Sequence, residues 1–145
     1  MLCNHNVATV ARRDSIEAAA MKMRDSHVGD LIVTEMRDGR VVPVGIVTDR
    51  DLVVEVLAES VAVDAVTVED IMTTDLLSVN EDNGLEFTVR KMCDKGVRRV
   101  PVVDDEGTLI GVLSLDDVIE HVATLTSCIA KGVQLELRTE AEKRP

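Results

Sequence analysis

The sequence contains almost no aromatic residues. Phe87 is the only one, and tryptophan and tyrosine are absent from the 145 residues. Aliphatic side chains and methionines must therefore form the core, and the 46% hydrophobic content is enough for one compact domain or two fused halves. A planar ligand would have to lie between aliphatic side chains, because no ring is available to stack on it.

The sequence also lacks membrane and export signals. No apolar run reaches the roughly 20 residues that a membrane-spanning helix needs. The N-terminus lacks the charged start and long apolar stretch of a signal peptide. Cysteines occur at positions 3, 93 and 128, an odd number with wide spacing, which favours reduced thiols. We therefore predict a cytoplasmic protein without membrane contact.

Positive charge is scarce. The formal net charge is −11, which argues against nucleic acid as a partner because phosphate backbones require a positive surface. A small anionic ligand is still compatible with this charge, provided that specific arginines and backbone amides hold it.

The hydrophobic pattern predicts the same order of elements twice: strand, helix, strand, hairpin, strand, helix. Turn signals at Asp38-Gly39 and Glu106-Gly107 mark the two hairpins. Pro43 indicates an edge or irregular position in its strand. Thr67 and Asp70 form a capping-box pattern before one helical turn. We predict strands at 7–10, 31–33, 41–47, 77–79, 100–103 and 109–113, and helices at 16–23, 49–58, 85–95 and from 115 onward.

The two halves also match residue by residue. In the first part of each half the offset is 69 residues, from Val10 to Val79, and after the hairpin it is 66 residues, from Gly45 to Gly111. This predicts an α/β (α+β) fold of two β-α-β-β-α repeats related by a pseudo-twofold axis. One copy of about 50 residues would be marginal alone, so the repeats should pack together.

We divide the chain accordingly into three parts. Residues 1–66 form the first repeat with an N-terminal arm and a connector, and residues 67–128 form the second. Residues 129–145 are a helix extension that frays into a charged tail, with a partner-binding helix as the alternative.

One motif stands at the same place in both copies. Residues 45–51 and 111–117 each contain glycine, aliphatic residues, a hydroxyl residue and then an aspartate at a strand-to-helix junction. The spacing is that of a capping box, which alone explains the pattern. Yet a helix start also offers free amides and a positive dipole end, so a bound phosphate or sugar is the other interpretation.

With these motifs the chain resembles the tandem cystathionine-β-synthase (CBS) domain pair, of the stand-alone bacterial type, over roughly residues 7–126. The single motifs are weak, and their ordered duplication is specific. The residues that carry the resemblance are Val28-Gly29-Asp30-Leu31-Ile32-Val33, Gly45 to Asp51, Ile71-Met72, Val97-Arg98-Arg99-Val100-Pro101-Val102-Val103-Asp104 and Gly111 to Asp117.

The resemblance implies two adenosine-ligand sites in clefts between the repeats. It implies that a hydroxyl and a carboxylate at each junction hold the ribose, and that residues entering the central strands flank the base and phosphates. Guanidinium groups suit phosphate, although arginines here could equally pair with surface carboxylates. The candidate ligand-binding residues are Thr48, Asp51, Arg50, Asp30, Leu31, Val10, Ser114, Asp117, Arg98, Arg99, Val100 and Ser78. Because Arg98 and Arg99 occur in one copy and Asp30 in the other, we expect unequal occupancy.

The resulting functional prediction is a regulatory, ligand-sensing module and not an enzyme. The resemblance implies AMP, ATP, NAD or S-adenosylmethionine as regulatory ligand, with no required cofactor, and a regulated protein as a further partner. Exposed apolar helix positions predict a homodimer, a disc of four repeats. The alternative is a structural or partner-interaction protein in which the junctions only cap helices. An enzyme is the weakest reading, since the three histidines form no triad, and Cys3 with His5 is a poor metal site.

Overall fold

Each half of the chain folds into a three-stranded sheet with helices packed against it. The computed structural model describes residues 2–144, so Met1 and Pro145 of the predicted arm and tail lie outside the described residues. The strands are β1 (Thr9–Ala11), β2 (Asp30–Arg37), β3 (Arg40–Thr48), β4 (Val79–Asn80), β5 (Arg99–Val103) and β6 (Leu109–Ser114). The helices are α1 (Ile16–Ser26), α2 (Asp49–Asp51, continuing as a π-helix over Leu52–Leu57), α3 (Val68–Ile71), α4 (Leu85–Lys95) and α5 (Leu115–Lys143), with a 3₁₀ turn at Val63–Ala65.

The two sheets have the same topology. β1 pairs in parallel with β2, and β2 pairs antiparallel with β3; β4, β5 and β6 repeat this arrangement. Even the irregularity recurs, because the register shifts between Val33 and Thr34 in one sheet and between Val102 and Val103 in the other. Pro43 lies beside the first shift on the edge strand β3, where its missing N–H is tolerated. The predicted β-α-β-β-α repeat is confirmed.

Each repeat has its own aliphatic core. Leu31, Val33 and Val47 are fully buried in the first repeat, and Val100, Val102 and Leu113 are fully buried in the second. These residues alternate along the central and third strands, as side chains on one face of a sheet do. Phe87 is 49% exposed, so the single aromatic ring contributes little to either core.

The segments that lead into the two repeats cross over to the opposite repeat. Asn4 leads into the first repeat, but its N–H donates to Val112 O of β6 at 2.8 Å and its carbonyl accepts from Val112 N at 2.9 Å. At the corresponding position, Thr73 leads into the second repeat and exchanges the same pair of hydrogen bonds with Ile46 of β3, at 2.9 and 3.1 Å. The repeats are therefore interlocked around the predicted pseudo-twofold axis.

This crossing explains the glycine that opens each copy of the junction motif. A Cβ on Gly45 would lie 2.8 Å from Thr73 O, and a Cβ on Gly111 would lie 2.7 Å from Cys3 Sγ. Both distances are too short for any other residue without a local shift. The glycines thus provide room for a backbone that crosses from the other repeat.

Several boundaries differ from the prediction: β1 begins at Thr9 and not at residue 7, β2 continues to Arg37 and not only to residue 33, and α1 ends at Ser26 and not at residue 23. β4 begins at Val79 and not at residue 77, because the preceding segment follows the connector that crosses to β3. α2 changes to π-helical hydrogen bonding at Leu52. α5 continues as a helix to Lys143, whereas the prediction had it fray from residue 136.

Candidate functional site

The first junction is a complete capping box. The Asp51 N–H donates to Thr48 Oγ1 at 3.1 Å, and the Thr48 N–H donates to Asp51 Oδ2 at 2.8 Å. Both side chains are thereby engaged with the backbone at the start of α2. The capping interpretation therefore accounts fully for the spacing of threonine and aspartate in this copy.

The second junction uses the same residue types in a different way. The Asp117 N–H donates to Ser114 Oγ at 3.1 Å, as an N-cap requires. The Ser114 hydroxyl in turn donates to Asp117 Oδ2 at 2.6 Å. The carboxylate is therefore held by a side-chain hydroxyl and is not locked onto the Ser114 backbone.

A cleft of about 250 Å³ lies at this second junction, between the two repeats. Ser114, Asp116 and Asp117 form the wall at the start of α5. The opposite wall comes from the first repeat and from the N-terminal arm that crosses to β6. The remaining lining residues are Asn4, Asn6, Val7, Ala8, Val28, Asp30, Ile32, Arg99 and Val112.

Four of the candidate ligand-binding residues meet in this cleft. They come from both repeats: Asp30 from the first, and Arg99, Ser114 and Asp117 from the second. Thr48, Arg50 and Asp51 lie at the other junction and do not line it. Arg98 and Ser78 are exposed outside it.

The three remaining candidates have core side chains. Val10 and Leu31 belong to the buried cluster of the first repeat, and Val100 belongs to that of the second. Their side chains face the aliphatic cores, so only their backbone groups would be available to a ligand.

Arg98 and Arg99, the two candidate arginines, are both paired with carboxylates. Arg99 Nη1 lies 2.9 Å from Asp30 Oδ1, and the two side chains are 38% and 14% exposed. Arg98 Nη2 lies 3.0 Å from Asp116 Oδ1, and both of these side chains are largely exposed. Pairing with carboxylates, the alternative to phosphate binding for these arginines, therefore describes their observed contacts.

The environment of Asp30 disfavours its negative charge. Burial raises the pKa of the Asp30 carboxyl most strongly, and the neighbouring Asp49 carboxylate raises it further. The Arg99 guanidinium acts in the opposite direction and lowers this pKa. The Arg99 guanidinium therefore offsets part of the cost of charging Asp30, and the pKa of this carboxyl still lies above its usual value.

The sequence did not identify the arm as part of the cleft. Asn4, Asn6, Val7 and Ala8 line it only because Asn4 pairs with Val112, more than a hundred positions away. A local pattern cannot reveal such a contact. The usable signal was Gly111, since a glycine in the middle of a strand marks a close backbone approach.

Residues 2–144 contain neither a metal cluster nor a membrane-spanning helix. No group of three or more histidine, cysteine, aspartate or glutamate side chains is arranged to hold a metal ion in that part of the chain. Cys3 Sγ lies 3.9 Å from His5 Nε2, while His5 Nδ1 contacts Ile110 O at 2.9 Å. None of the helices in the same range combines the length and apolarity that a membrane span requires.

Comparison with known proteins identifies the family. The model of the CBS domain matches residues 2–58 and again residues 68–124. The chain belongs to the CBS-domain family. The two matches correspond to the two repeats described above, so the predicted CBS-domain pair is confirmed.

Individual relatives agree with this assignment. The uncharacterized protein MK0525 of Methanopyrus kandleri is 37% identical over 137 residues, which cover 89% of this chain and 68% of that protein. The CBS-domain containing protein ATU1752 from Agrobacterium tumefaciens superposes with a TM-score of 0.67 at 31% identity, covering 81% of this chain and 90% of that one.

One solved structure contains bound ligands. The CBS domain pair of protein MJ0100, in complex with 5-methylthioadenosine and S-adenosyl-L-methionine, superposes with a TM-score of 0.69 at 26% identity. The match covers 85% of this chain and 93% of that chain.

Proposed function

We propose that this protein is a regulatory module that binds an adenosine-type ligand in the cleft between its two CBS repeats. The observation that carries the proposal is the meeting of Ser114 and Asp117 with Asp30 and Ile32 of the other repeat in one cleft. The adenosine-bound CBS pair of protein MJ0100 supports it. Since the histidines and cysteines offer no catalytic arrangement, a binding role is favoured over an enzymatic one.

The cleft has suitable chemistry for a nucleoside. The Asp117 carboxylate can accept hydrogen bonds from both ribose hydroxyls, and Ser114 holds that carboxylate in place. Val7, Ala8, Ile32 and Val112 supply apolar surface on which an adenine ring can lie without aromatic stacking. The volume of about 250 Å³ is just below the roughly 300–1,000 Å³ of typical ligand pockets, which favours a single nucleoside over a dinucleotide such as NAD.

A ligand there would act on the contact between the repeats. It would touch the crossing arm, β2 of the first repeat and the start of α5 together, so its binding free energy stabilises the arrangement that forms the cleft. Any partner or dimer contact that depends on this arrangement would respond to the ligand.

We also propose the first junction as a second, weaker site. Thr48, Arg50 and Asp51 occupy the positions that the repeat relates to Ser114, Asp116 and Asp117, and we propose Ser78 as a further residue of this site. The Thr48 and Asp51 side chains are already engaged in the capping box, so a ligand would compete with the cap. Unequal occupancy of the two sites follows from this difference.

Isothermal titration calorimetry tests the proposal. Adenosine, 5-methylthioadenosine, S-adenosylmethionine, AMP, ATP and NAD are titrated into the protein. We expect at least one of them to bind, and Asp117→Asn to weaken that binding at least tenfold with the fold intact. Asp51→Asn is the matched control and should leave cleft affinity within about twofold. Lack of binding by every compound would refute the proposal.

Exposed helix positions support a homodimer. Val53 and Leu57 on α2 are 53% and 73% exposed, and Ile119 and Val122 on α5 are 66% and 53% exposed. Apolar side chains so exposed on these helices favour burial against another copy, and we propose the disc of four repeats. Sedimentation equilibrium should give twice the chain mass, and Leu57→Lys with Ile119→Lys should give the monomer. A wild-type monomer at micromolar concentration would exclude this dimer.

A further inference from the structure

We infer that the cleft selects an adenosine-type ligand whose tail is neutral or cationic, and that Asp30 is the residue that excludes phosphate groups. This inference rests on the proposed function, because it concerns the same cleft. It goes further by naming the chemical class of the ligand and the residue that decides it.

The side chains of the cleft carry an excess of negative charge. Asp30, Asp116 and Asp117 line it, and Arg99 is the one cation among its lining residues. A phosphate placed there would approach three carboxylates for each guanidinium. The net charge of −11 on the whole chain adds to the repulsion. A sulfonium or ammonium group would instead be attracted.

Arg99 is not free to bind a phosphate. Its Nη1 already lies 2.9 Å from Asp30 Oδ1, and Asp30 is 14% exposed. Moving the guanidinium to a phosphate would leave Asp30 partly buried without its cation and next to Asp49, an arrangement that is costly for a carboxylate. The ion pair therefore neutralises the one guanidinium among the residues that line the cleft.

The repeat offset shows what a phosphate-accepting cleft would contain. Asp30 occupies the same position in the first repeat as Arg99 in the second, each at the start of the central strand. A second arginine at position 30 would leave two guanidiniums facing each other across the axis. The aspartate turns this position into an ion pair and removes the excess positive charge.

The start of α5 does not compensate for the missing positive charge. A helix N-terminus usually favours an anion, but here the first turn already holds Asp116 and Asp117. The Asp117 N–H donates to Ser114 Oγ, and the Leu115 N–H donates to Arg98 O at 2.9 Å. Two of the first-turn amides that could hold a phosphate are thus already in use.

The test compares dissociation constants by calorimetry at one ionic strength. The probes are adenosine, 5-methylthioadenosine, S-adenosylmethionine, AMP and ATP. For the wild type we expect S-adenosylmethionine or 5-methylthioadenosine to bind at least tenfold more tightly than AMP or ATP. In Asp30→Asn this ratio should fall at least fivefold, because Arg99 becomes available to phosphate. Asp64→Asn, the same charge change at an exposed position outside the cleft, should leave the ratio within twofold.

Two further variants make the result interpretable. Asp116→Asn removes an exposed carboxylate that lines the cleft and should shift the ratio in the same direction. This variant keeps the inference testable if Asp30→Asn does not fold. Asp30→Arg should make AMP the tighter ligand. Tighter binding of AMP or ATP by the wild type, or an unchanged ratio in the folded Asp30 and Asp116 variants, would overturn this inference while leaving the proposed function in place. No binding by any probe would overturn both.

Discussion

The two junctions have nearly the same sequence pattern but different side-chain engagement. Thr48 and Asp51 close a reciprocal capping box in which each side chain bonds the backbone of the other residue. Ser114 and Asp117 share a hydrogen bond between their side chains and stand at the wall of a cleft. One duplicated motif therefore stabilises a helix start in the first repeat, and in the second it presents a carboxylate to a cavity.

The largest expected effect concerns the glycines that admit the crossing segments. Gly45→Ala should lower the free energy of unfolding by about 3 kcal/mol, because the new Cβ meets the backbone oxygen of Thr73 at 2.8 Å. Gly111→Ala should cost about 1 kcal/mol, since its closest contact is the Cys3 side chain on the N-terminal arm, which can move.

Urea denaturation of both variants checks this difference. Gly132→Ala serves as control, because it lies within α5 with open space around it and should stabilise the protein by up to about 1 kcal/mol. Equal costs at Gly45 and Gly111 would contradict the view that the Thr73 backbone yields less to a new Cβ than the Cys3 side chain does.

The different hydrogen bonds of Asp51 and Asp117 predict a smaller effect, in which Asp51 contributes more to stability than Asp117. Asp51→Ala removes a backbone hydrogen bond at the start of α2 and should cost about 1–2 kcal/mol in urea denaturation. Asp117→Ala should cost under about 1 kcal/mol, because the Ser114 cap remains. A larger loss of stability in Asp117→Ala than in Asp51→Ala would mean that the second junction is mainly structural.

The helices that pack on the sheets offer a further comparison. Ala19 in α1 and Thr88 in α4 occupy equivalent positions and are both fully buried. Within residues 2–144 the Thr88 hydroxyl has no hydrogen-bond partner. Thr88→Val keeps the shape and removes the unsatisfied group, so it should raise the free energy of unfolding by about 1 kcal/mol. A loss of stability in thermal or urea unfolding would show that the hydroxyl has a role.

Glu35 and Asp104 also occupy equivalent positions. The pKa of each carboxyl is lowered, but the main cause differs between the two. A side-chain hydrogen bond from Arg12 is the main cause at Glu35, and a backbone hydrogen bond from Thr108 is the main cause at Asp104. Because each carboxyl has a lower pKa in the folded state than in the unfolded state, it stabilises the folded protein at pH values above its usual pKa of about 4. This stabilisation is lost as the pH falls through the lowered pKa.

These causes respond differently to salt. The effect of Glu35→Gln on the pH dependence of stability should shrink in about 1 M NaCl, where ion pairs are screened. The effect of Asp104→Asn should persist, because backbone amides hold that carboxylate. Thermal melts between pH 2 and 7 measure both, and equal salt sensitivity would contradict the assigned causes.

The sequence was sufficient for the parts of the fold that depend on local patterns. The strand and helix order, the hairpins at Asp38 and Gly107, and the duplication all follow from periodicity and turn residues. The crossing of Asn4 to Val112 could not be predicted, since it depends on how two finished repeats pack. The π-helical turn after Asp51 has no distinct residue signature.

The same limit applies to the site. Ser114 and Asp117 could be named from the motif, but the motif does not show which copy faces a cavity. That outcome depends on the arm, which brings Val7 and Ala8 to the second junction, and on the Asp30–Arg99 pair across the repeats. Both are contacts between residues far apart in the sequence.

A crystal structure grown with saturating 5-methylthioadenosine or S-adenosylmethionine tests the central claim most directly. We expect the nucleoside in the interrepeat cleft, with its ribose hydroxyls within hydrogen-bond distance of Asp117 and its base against Ile32 and Val112. A ligand bound only at the Thr48–Asp51 junction, or an empty cleft at saturation, would contradict the claim.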